Sequence, residues 1–333
     1  MACSTASAVG CGPASYMAKP PRLDEFQRIA RFFAPLAGEG ALCLKDDVAL
    51  IDGPAGTQYV LKTDAIVEGV HFFPDDPPGQ VAQKLLRVNL SDLAAKGAMP
   101  VGYLLTTALT VRQGEAWLAK FSAGLAADQR KYSIMLLGGD STRTKGTATL
   151  SVTAIGRIAK GTAPLRGGAR PGDAIYMTGT LGDAALGLSV AKGGLKNRSA
   201  AHRRFLLDRY RLPQPRLDLG RKIARVATAA MDISDGLVAD LGHICEVSGV
   251  AAIVETARLP LSQAARVALK ADPRLLEIIL TGGDDYEILF TARAVPGRLP
   301  VTQIGRIEKG QGVTVLDGDG KKLRFKQSGY RHF

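Results

Sequence analysis

The sequence lacks the features that mark several large classes of protein. Its four cysteines, Cys3, Cys11, Cys43 and Cys245, show no CxxC spacing, which argues against a zinc site and against a disulfide framework. No apolar run approaches the roughly 18 residues of a membrane-spanning helix, so no membrane association is expected. Residues 1–20 contain one lysine and no apolar stretch of the secretory kind, and we interpret them as a flexible extension. A reducing cytoplasm fits this pattern.

Aromatic residues are also scarce, at 6% of the chain. The formal charge of +12 would suit a nucleic-acid partner. However, the basic residues are scattered, and the aromatic residues are too few to form a platform on which bases stack. We therefore expect no nucleic-acid partner. A positive field would instead help a protein that collects polyphosphates.

Two common phosphate-transfer signatures are absent as well. The chain has no GxxxxGK[ST] loop and no H-R-D or D-F-G set. If the protein transfers phosphate, it must do so on another scaffold.

What the sequence does contain is a set of aspartates at the ends of apolar runs, beside small or hydroxylated residues. They stand at positions 46–47, 64, 92, 140, 232, 235 and 284–285. Carboxylates are almost never fully buried without a partner, and no Lys or Arg recurs at equivalent places. Hard oxygen ligands of this kind suit Mg²⁺, which commonly bridges carboxylates to substrate phosphates. The pattern therefore indicates Mg²⁺-dependent phosphate chemistry.

Asp92 is the sharpest single case. Residues 81–95 have the pattern of a helix that follows two prolines and ends at Gly97. Val81, Leu85, Val88 and Asp92 are spaced so that the carboxylate lies on the apolar face. A bare carboxylate there would cost several kcal/mol. A metal ligand and a cap on a nearby loop are both open, and the other aspartates favour the ligand.

The order of elements predicts an α/β or α+β fold of two domains. Strands are expected at 48–51, 58–62, 102–111, 133–137 and 148–158, with helices at 23–36, 81–95 and 115–131. A turn-rich joint at 161–172 separates domains at 21–160 and 161–333. The second domain is expected to contain a strand at 174–178, a helix at 184–191 capped by Asp183, and core elements at 229–233 and 277–280.

Five stretches and the tail match the motifs of one family, in order from about Asp24 to Phe333. They read KTDAIVEGVHF at 62–72, NLSDLAA at 89–95, GGDST at 138–142, DISDGL at 232–237, GGDDYE at 282–287 and GYRHF at 329–333. The chain thus resembles the thiamine-monophosphate kinase family. That family shares its two-domain fold with aminoimidazole ribonucleotide synthetase and selenophosphate synthetase.

The resemblance implies an N-terminal mixed sheet with helices that binds ATP and Mg²⁺ and forms a homodimer, and a C-terminal α/β domain that completes the nucleotide and substrate site. It implies transfer of phosphate from ATP to thiamine monophosphate. By matched position, several Mg²⁺ ions would be held by Asp47, Thr63, Asp64, Asp92, Asp140, Asp232 and Asp235, and Asp92, Asp140 and Asp235 would be catalytic. ATP would contact Gly139, Asp140, Arg166 and Ser234, and the thiamine substrate would contact His71, Asp284 and Tyr330.

Two departures from the family pattern stand beside these motifs. Lys45 replaces a common glycine before the paired aspartates, and Lys62 replaces a common serine before Thr63. Lysine cannot coordinate Mg²⁺, so one metal contact is in doubt, although an ammonium could replace part of a cation's charge.

Three different functions also fit parts of this sequence. Selenophosphate synthesis would require a reactive cysteine, which Cys11 matches only superficially. Aminoimidazole ribonucleotide synthesis would not require the stretch at 67–72. A non-catalytic metal-binding regulatory protein would not require ATP.

Overall fold

The computed structural model describes residues 24–196 and 198–330. The extension at 1–20, with Cys3 and Cys11, and the last three residues of the tail lie outside the described residues. None of the helices within the described ranges is both long and apolar enough to cross a membrane.

The described chain begins with a short helical segment. Helix α1 (Glu25–Arg28) is capped by Asp24, whose side chain accepts a hydrogen bond from the Gln27 main-chain N–H at 2.8 Å. A π-helical stretch (Ile29–Phe33) and a 3₁₀ turn (Ala34–Leu36) follow. The segment predicted as one helix at 23–36 is therefore helical from Glu25, but as an α-helix, a π-helix and a 3₁₀ turn in succession.

The N-terminal half forms a five-stranded sheet in the order β1-β2-β5-β3-β4. Its strands are β1 (Ala49–Asp52), β2 (Thr57–Val67), β3 (Met99–Leu109), β4 (Met135–Arg143) and β5 (Thr149–Ala159). β3 and β4 are parallel and the other neighbours are antiparallel. Side chains on β5 alternate between buried and partly exposed, so one face of the sheet faces the core. The fold class predicted from the sequence is confirmed.

Helices α2 (Pro78–Ala95) and α3 (Glu115–Tyr132) cover the buried face of this sheet. α2 begins at a proline and is followed by Gly97 at φ +70°, as predicted from the prolines before the helix and the glycine after it. From Lys84 to Ala95 every residue of α2 is buried, including Asp92. Such an all-round buried helix lies between two layers.

The C-terminal half forms a six-stranded sheet in the order β11-β8-β10-β6-β9-β7. Its strands are β6 (Ala174–Thr178), β7 (Ala229–Asp232), β8 (Ala251–Glu255), β9 (Ile288–Ala292), β10 (Val301–Glu308) and β11 (Gly312–Leu316). Its helices are α4 (Asp183–Ala191), α5 (Ala200–Arg211), α6 (Leu217–Ile223), α7 (Leu237–Ser248), α8 (Gln263–Ala271) and α9 (Leu275–Thr281).

The end of α2 joins the two halves. Ala94 and Ala95 pack with Ile223 of α6 and with Phe290 of β9 in one buried cluster. A Cβ at Gly220 would lie 2.2 Å from the Ala94 carbonyl oxygen, so only glycine permits this approach of α6 to α2. The contact fixes Asp92, two residues before Ala94, beside the second sheet.

Two local predictions were wrong in detail. The strand expected at 133–137 extends to Arg143, so the Gly-Gly-Asp triplet lies within β4 and not after it. Asp183 does not cap α4, because the N-cap is Gly182 and Asp183 bonds the hydroxyls of Thr180 and Ser262. The start of α4 is capped from a distance by Asp285, which accepts the N–H groups of Gly182 and Ala184 at 2.6 and 3.1 Å.

Candidate active site

A cavity of about 440 Å³ lies between the two halves of the chain. It is lined by β2, α2, the loop after β7 and the 282–286 segment before β9. All of the predicted site residues except Gly139 and Asp140 line it. The tertiary fold therefore brings together residues that lie more than 250 positions apart in sequence, from Asp47 to Tyr330.

Three carboxylates form the centre of the cavity. Asp47 precedes β1, Asp92 lies on α2 and Asp232 ends β7, and one oxygen from each lies within 4.8 Å of the others. Asp232 Oδ2 is buried and has no hydrogen-bond partner among the described residues. We refer to Asp47, Asp92 and Asp232 as the acidic cluster.

The negative charges of the acidic cluster are destabilised by burial and by mutual repulsion, and a bound cation would relieve both. Burial raises the pKa of Asp232 to about 6, and the neighbouring Asp47 adds to the effect. Burial, followed by repulsion from Asp232, raises the pKa of Asp92 well above its usual range. Converging hard oxygens of this kind, with one unpartnered oxygen, fit a magnesium site.

Asp47 differs from Asp92 and Asp232 because its pKa is lowered by neighbouring cations. Burial opposes its ionisation, but Arg166, Lys96 and Lys62 outweigh burial and lower its pKa. The Arg166 guanidinium forms a bidentate pair with Asp47, with Nε 2.9 Å from Oδ2. Lys96 is fully buried, and its Nζ lies 3.6 Å from Asp47 Oδ2 and 2.9 Å from Asp46 Oδ1.

Asp46 anchors the neighbouring segments of the chain. Besides Lys96, it accepts a hydrogen bond from the Arg166 main-chain N–H at 2.7 Å. The domain joint that contains Arg166 is thereby fixed beside Asp47.

Strand β2 delivers Lys62 and Asp64 to the same side of the sheet, since alternate residues of a strand share a face. Lys62 Nζ lies 3.2 Å from Asp64 Oδ1 and 3.2 Å from Asp92 Oδ2. Burial opposes the charge of Lys62, but Asp92 and Asp64 raise its pKa well above the ordinary value. Thr63 points to the other face, where its hydroxyl bonds Val152 O and Thr153 Oγ1 at 3.2 and 3.1 Å. The Thr63 hydroxyl, a predicted metal ligand, therefore bonds strand β5, although Thr63 lines the cavity.

The loop after β7 is shaped by a residue that the sequence did not single out. Asp240, in the first turn of α7, accepts the main-chain N–H groups of residues 234, 235 and 236 at 3.1–3.2 Å. Gly236 has φ +120°, and a Cβ there would meet the backbone of Thr281. This turn presents Ser234 and Asp235 to the cavity. In the sequence, the signal that could have indicated this role is an aspartate four residues after the Ser-Asp-Gly turn.

Part of the cavity wall is supported from behind by Lys84, which contacts three residues that line the cavity and which sequence reasoning also missed. Its Nζ donates to Asp284 Oδ2 at 3.1 Å and to the His71 carbonyl at 3.0 Å, and lies 3.8 Å from the centre of the Tyr210 ring. His71 Nδ1 accepts the Val67 N–H at 3.0 Å, which orients the ring. Lys84 lies one helical turn from Val88, on the same buried side of α2 as Asp92.

Tyr330 lies at the mouth of the cavity with half of its surface exposed. Its main-chain N–H donates to the Asp235 carbonyl at 3.0 Å. The part of the tail that the structure describes is therefore attached to the same loop as Ser234.

Gly139 and Asp140 lie on strand β4 and do not line this cavity. Asp140 pairs with Thr106 of β3, which is aligned with Ser151 of β5 and then Ala65 of β2. Three steps of about 4.8 Å place Asp140 about 14 Å from the end of β2 that carries Asp64. A Cβ at Gly139 would meet the Leu105 carbonyl at 1.8 Å, so the glycine is required for β4 to pair with β3.

Comparisons with known proteins agree with this architecture. Residues 45–158 match the family described as AIR synthase related protein, N-terminal domain, and residues 170–318 match its C-terminal domain. The chain is 40% identical over 312 residues to the thiamine-monophosphate kinase of Caulobacter vibrioides, covering 89% of this chain and 87% of that protein.

Two solved structures are similar over most of their length. One is AaThiL complexed with AMPPCP and TMP, at TM-score 0.85 and 32% identity, covering 96% of this chain and 100% of that chain. The other is thiamine-monophosphate kinase from Stenotrophomonas maltophilia K279a, at TM-score 0.73 and 42% identity, covering 84% of this chain and 90% of that chain.

Proposed function

Because the chain belongs to the thiamine-monophosphate kinase family of the AIR synthase related proteins, we propose that its interdomain cavity is where ATP phosphorylates thiamine monophosphate. The protein is a thiamine-phosphate kinase, and its products are thiamine diphosphate and ADP. The observation that carries the site assignment is the convergence of Asp47, Asp92 and Asp232 within 4.8 Å in that cavity.

The reaction needs positioning and charge neutralisation more than proton transfer. A phosphate monoester has a second pKa of about 6, so the attacking oxygen of thiamine monophosphate is already ionised at neutral pH. The barrier lies in bringing two polyanions into line. Arg166, held by Asp47 at the edge of the cavity, supplies a fixed guanidinium for the nucleotide phosphates.

The acidic cluster would hold Mg²⁺, joined by Asp64 and Asp235. When bound, Mg²⁺ supplies neutralisation of the phosphate charge and a template for in-line transfer. Asp240 keeps Asp235 and Ser234 facing the cavity through its three main-chain hydrogen bonds. The donor set and the unpartnered Asp232 oxygen support this assignment.

The thiamine end of the substrate would lie at the Lys84 end of the cavity. Asp284 offers a carboxylate, and Tyr210, Tyr286 and Tyr330 line the same cavity. A cationic thiazolium ring is attracted by carboxylates and by the faces of aromatic rings. His71 is held beside them by its own bond to Val67.

We also propose that the active protein is a homodimer paired through β4. Every residue of β4 is exposed, including Met135, Leu136 and Leu137, and an open edge of this kind is a template for strand pairing. Asp140 is too far from the acidic cluster of its own chain to act there. In the dimer, Gly139 and Asp140 would serve the cavity of the partner.

Selenophosphate synthesis, aminoimidazole ribonucleotide synthesis and a non-catalytic regulatory role are not favoured. Of the cysteines that the structure describes, neither Cys43 nor Cys245 lines the cavity, and burial raises the pKa of Cys245 to about 11. With ATP as co-substrate and both of these thiols free, we propose a cytoplasmic location.

A direct assay tests the activity, the metal and the nucleotide together. Purified protein is given ATP, thiamine monophosphate and Mg²⁺, and thiamine diphosphate is measured by chromatography. Activity that is lost in EDTA and regained with Mg²⁺ is expected, and metal-independent turnover would contradict the assignment of the acidic cluster.

Mixing two inactive variants tests whether Asp140 acts across the dimer. Asp92→Asn and Asp140→Asn chains are unfolded, combined in equal amounts and refolded together. If Asp140 serves the partner, each mixed dimer contains one intact site, and about a quarter of the wild-type activity returns. No recovery would place Asp140 in the site of its own chain or outside the machinery.

A further inference from the structure

Lys62 occupies an unusual place for a lysine, inside a set of carboxylates. Its side chain is 14% exposed, and its Nζ lies at equal distances of 3.2 Å from Asp64 and Asp92. Strand β2 fixes it there, since Lys62 pairs with Ala154 of β5 in the middle of the sheet. The ammonium thus lies within the wall of the cavity and does not extend along an outer surface.

The other cations near the acidic cluster form their ion pairs with a different carboxylate of it. Arg166 and Lys96 form their ion pairs with Asp46 and Asp47. Among the ion pairs of residues 24–196 and 198–330, Lys62 is the cation that contacts Asp64 and the cation that contacts Asp92. Without it, those two carboxylates would face each other and Asp232 with no positive charge between them.

A bridging cation between two carboxylates is the role that a divalent ion also fills. Lysine presents a compact, strongly hydrated point charge, which resembles an ion more than a guanidinium does. Unlike a dissolved ion, it is covalently attached to β2 and is present at every metal concentration.

We propose that the Lys62 ammonium is a resident cation of the acidic cluster. It takes the position between Asp64 and Asp92 that a divalent ion would otherwise bridge, and it holds these two carboxylates in place before metal and nucleotide arrive. The chain accordingly binds one divalent ion fewer than the same cavity with a small neutral residue at position 62. This role rests on the proposed function in so far as the cluster is a divalent-ion site.

The test is a count of bound metal rather than an activity. Mn²⁺ binding is measured by equilibrium dialysis with electron paramagnetic resonance, with a non-hydrolysable ATP analogue present. Lys62→Ser is compared with wild type and with Lys45→Ser, which removes the same charge from an exposed lysine near the cluster. Lys62→Ser is expected to bind one more Mn²⁺ per chain than either.

Thermal unfolding in EDTA provides a second readout. Lys62→Ser should lose about 4 °C or more of its melting temperature, because the buried Asp92 and the partly exposed Asp64 lose their common cation. Added Mn²⁺ should restore this loss. Lys45→Ser should melt close to the wild type, and Lys62→Arg, which retains a cation, should keep the wild-type metal count.

A double variant protects the test against simple misfolding. Lys62→Ser with Asp64→Asn removes one charge of each sign and one of the two carboxylates, and it should not bind the additional ion that Lys62→Ser gains. If Lys62→Ser matches Lys45→Ser in both metal count and melting temperature, the resident-cation role is wrong. If wild type itself binds no Mn²⁺, the metal-site proposal fails instead, so the two failures are distinguishable.

Discussion

Replacing Asp92 by asparagine removes one negative charge from the acidic cluster while it preserves the shape of the side chain. Asp92 is 3% exposed, and its carboxylate lies within 4.8 Å of those of Asp47 and Asp232. The structure predicts opposite effects on stability and on activity. The metal-free variant should be at least as stable as wild type, and the kinase activity should fall by at least a few hundredfold.

The stability effect follows from the charges around Asp92. At an effective dielectric constant of about 20, two like charges 4.8 Å apart repel by about 3.5 kcal/mol. Lys62 at 3.2 Å attracts Asp92 by about 5 kcal/mol on the same scale. Since Asp64 and Asp47 add further repulsion to that of Asp232, repulsion and attraction nearly cancel, and the burial cost of the charge remains. The substitution should therefore leave metal-free stability unchanged or raise it by about 1–2 kcal/mol.

The pH dependence of stability has a definite sign. Because the pKa of Asp92 is raised in the folded state, this carboxyl binds more protons in the folded protein than in the unfolded chain between pH 3.8 and its raised pKa. Metal-free wild type should therefore lose stability as the pH rises from about 4 toward the raised pKa of Asp92. The asparagine variant should lack this contribution.

The activity effect follows from the proposed metal. Metal stabilisation of a transferring phosphoryl group contributes several kcal/mol, and each 1.4 kcal/mol is about tenfold in rate. ADP release at saturating Mg²⁺ measures turnover, and thermal unfolding in EDTA measures stability. Near-normal turnover at saturating Mg²⁺, or a clear loss of metal-free stability, would refute the reasoning.

Asp128→Asn is the matched control. Asp128 is also buried, but Arg87 of α2 holds it through bonds of 2.6 and 2.8 Å. Removing its charge leaves a buried guanidinium unpaired and should cost about 3–5 kcal/mol of stability. Turnover per folded molecule should stay at the wild-type level, since Asp128 does not line the cavity.

Three further predictions concern the rest of the cavity. Tyr330→Ala should raise the KM for thiamine monophosphate roughly three- to thirtyfold and leave nucleotide affinity nearly unchanged. Steady-state kinetics and a nucleotide titration measure the two effects. An equal loss for both substrates would mean that Tyr330 has only a structural role. Lys84→Met should raise the KM for thiamine monophosphate at least about tenfold, since Asp284 and the His71 carbonyl lose their common hydrogen-bond donor. An unchanged KM would contradict a role of Lys84 in positioning these two groups. The pKa of Asp232 is about 6, and a carboxylate must be deprotonated to bind a metal ion. The Mg²⁺ affinity measured by calorimetry should therefore fall about tenfold per pH unit below pH 6. An affinity that does not change with pH would contradict the assignment of Asp232 as a metal ligand.

Much of the fold could be predicted because its signals are local. The position of α2 follows from hydrophobic spacing and from the proline and glycine at its ends, and the structure has the helix within three residues of the prediction. The limits of β4 could not be read in the same way. Its glycines look like a turn in sequence, but they serve close pairing with β3, which depends on a partner strand.

The sequence by itself determined the family and the fold class, since the aspartate motifs and the order in which they occur are properties of the chain. Only the tertiary structure decided what each of them contacts. It put Lys62 between Asp64 and Asp92, placed Lys84 beside Asp284 across 200 positions of sequence, and left Asp140 on an exposed edge. The physical reason is that these contacts depend on how two sheets and α2 pack together. Coulomb energies and hydrogen bonds depend on distance in space, which local sequence patterns do not contain.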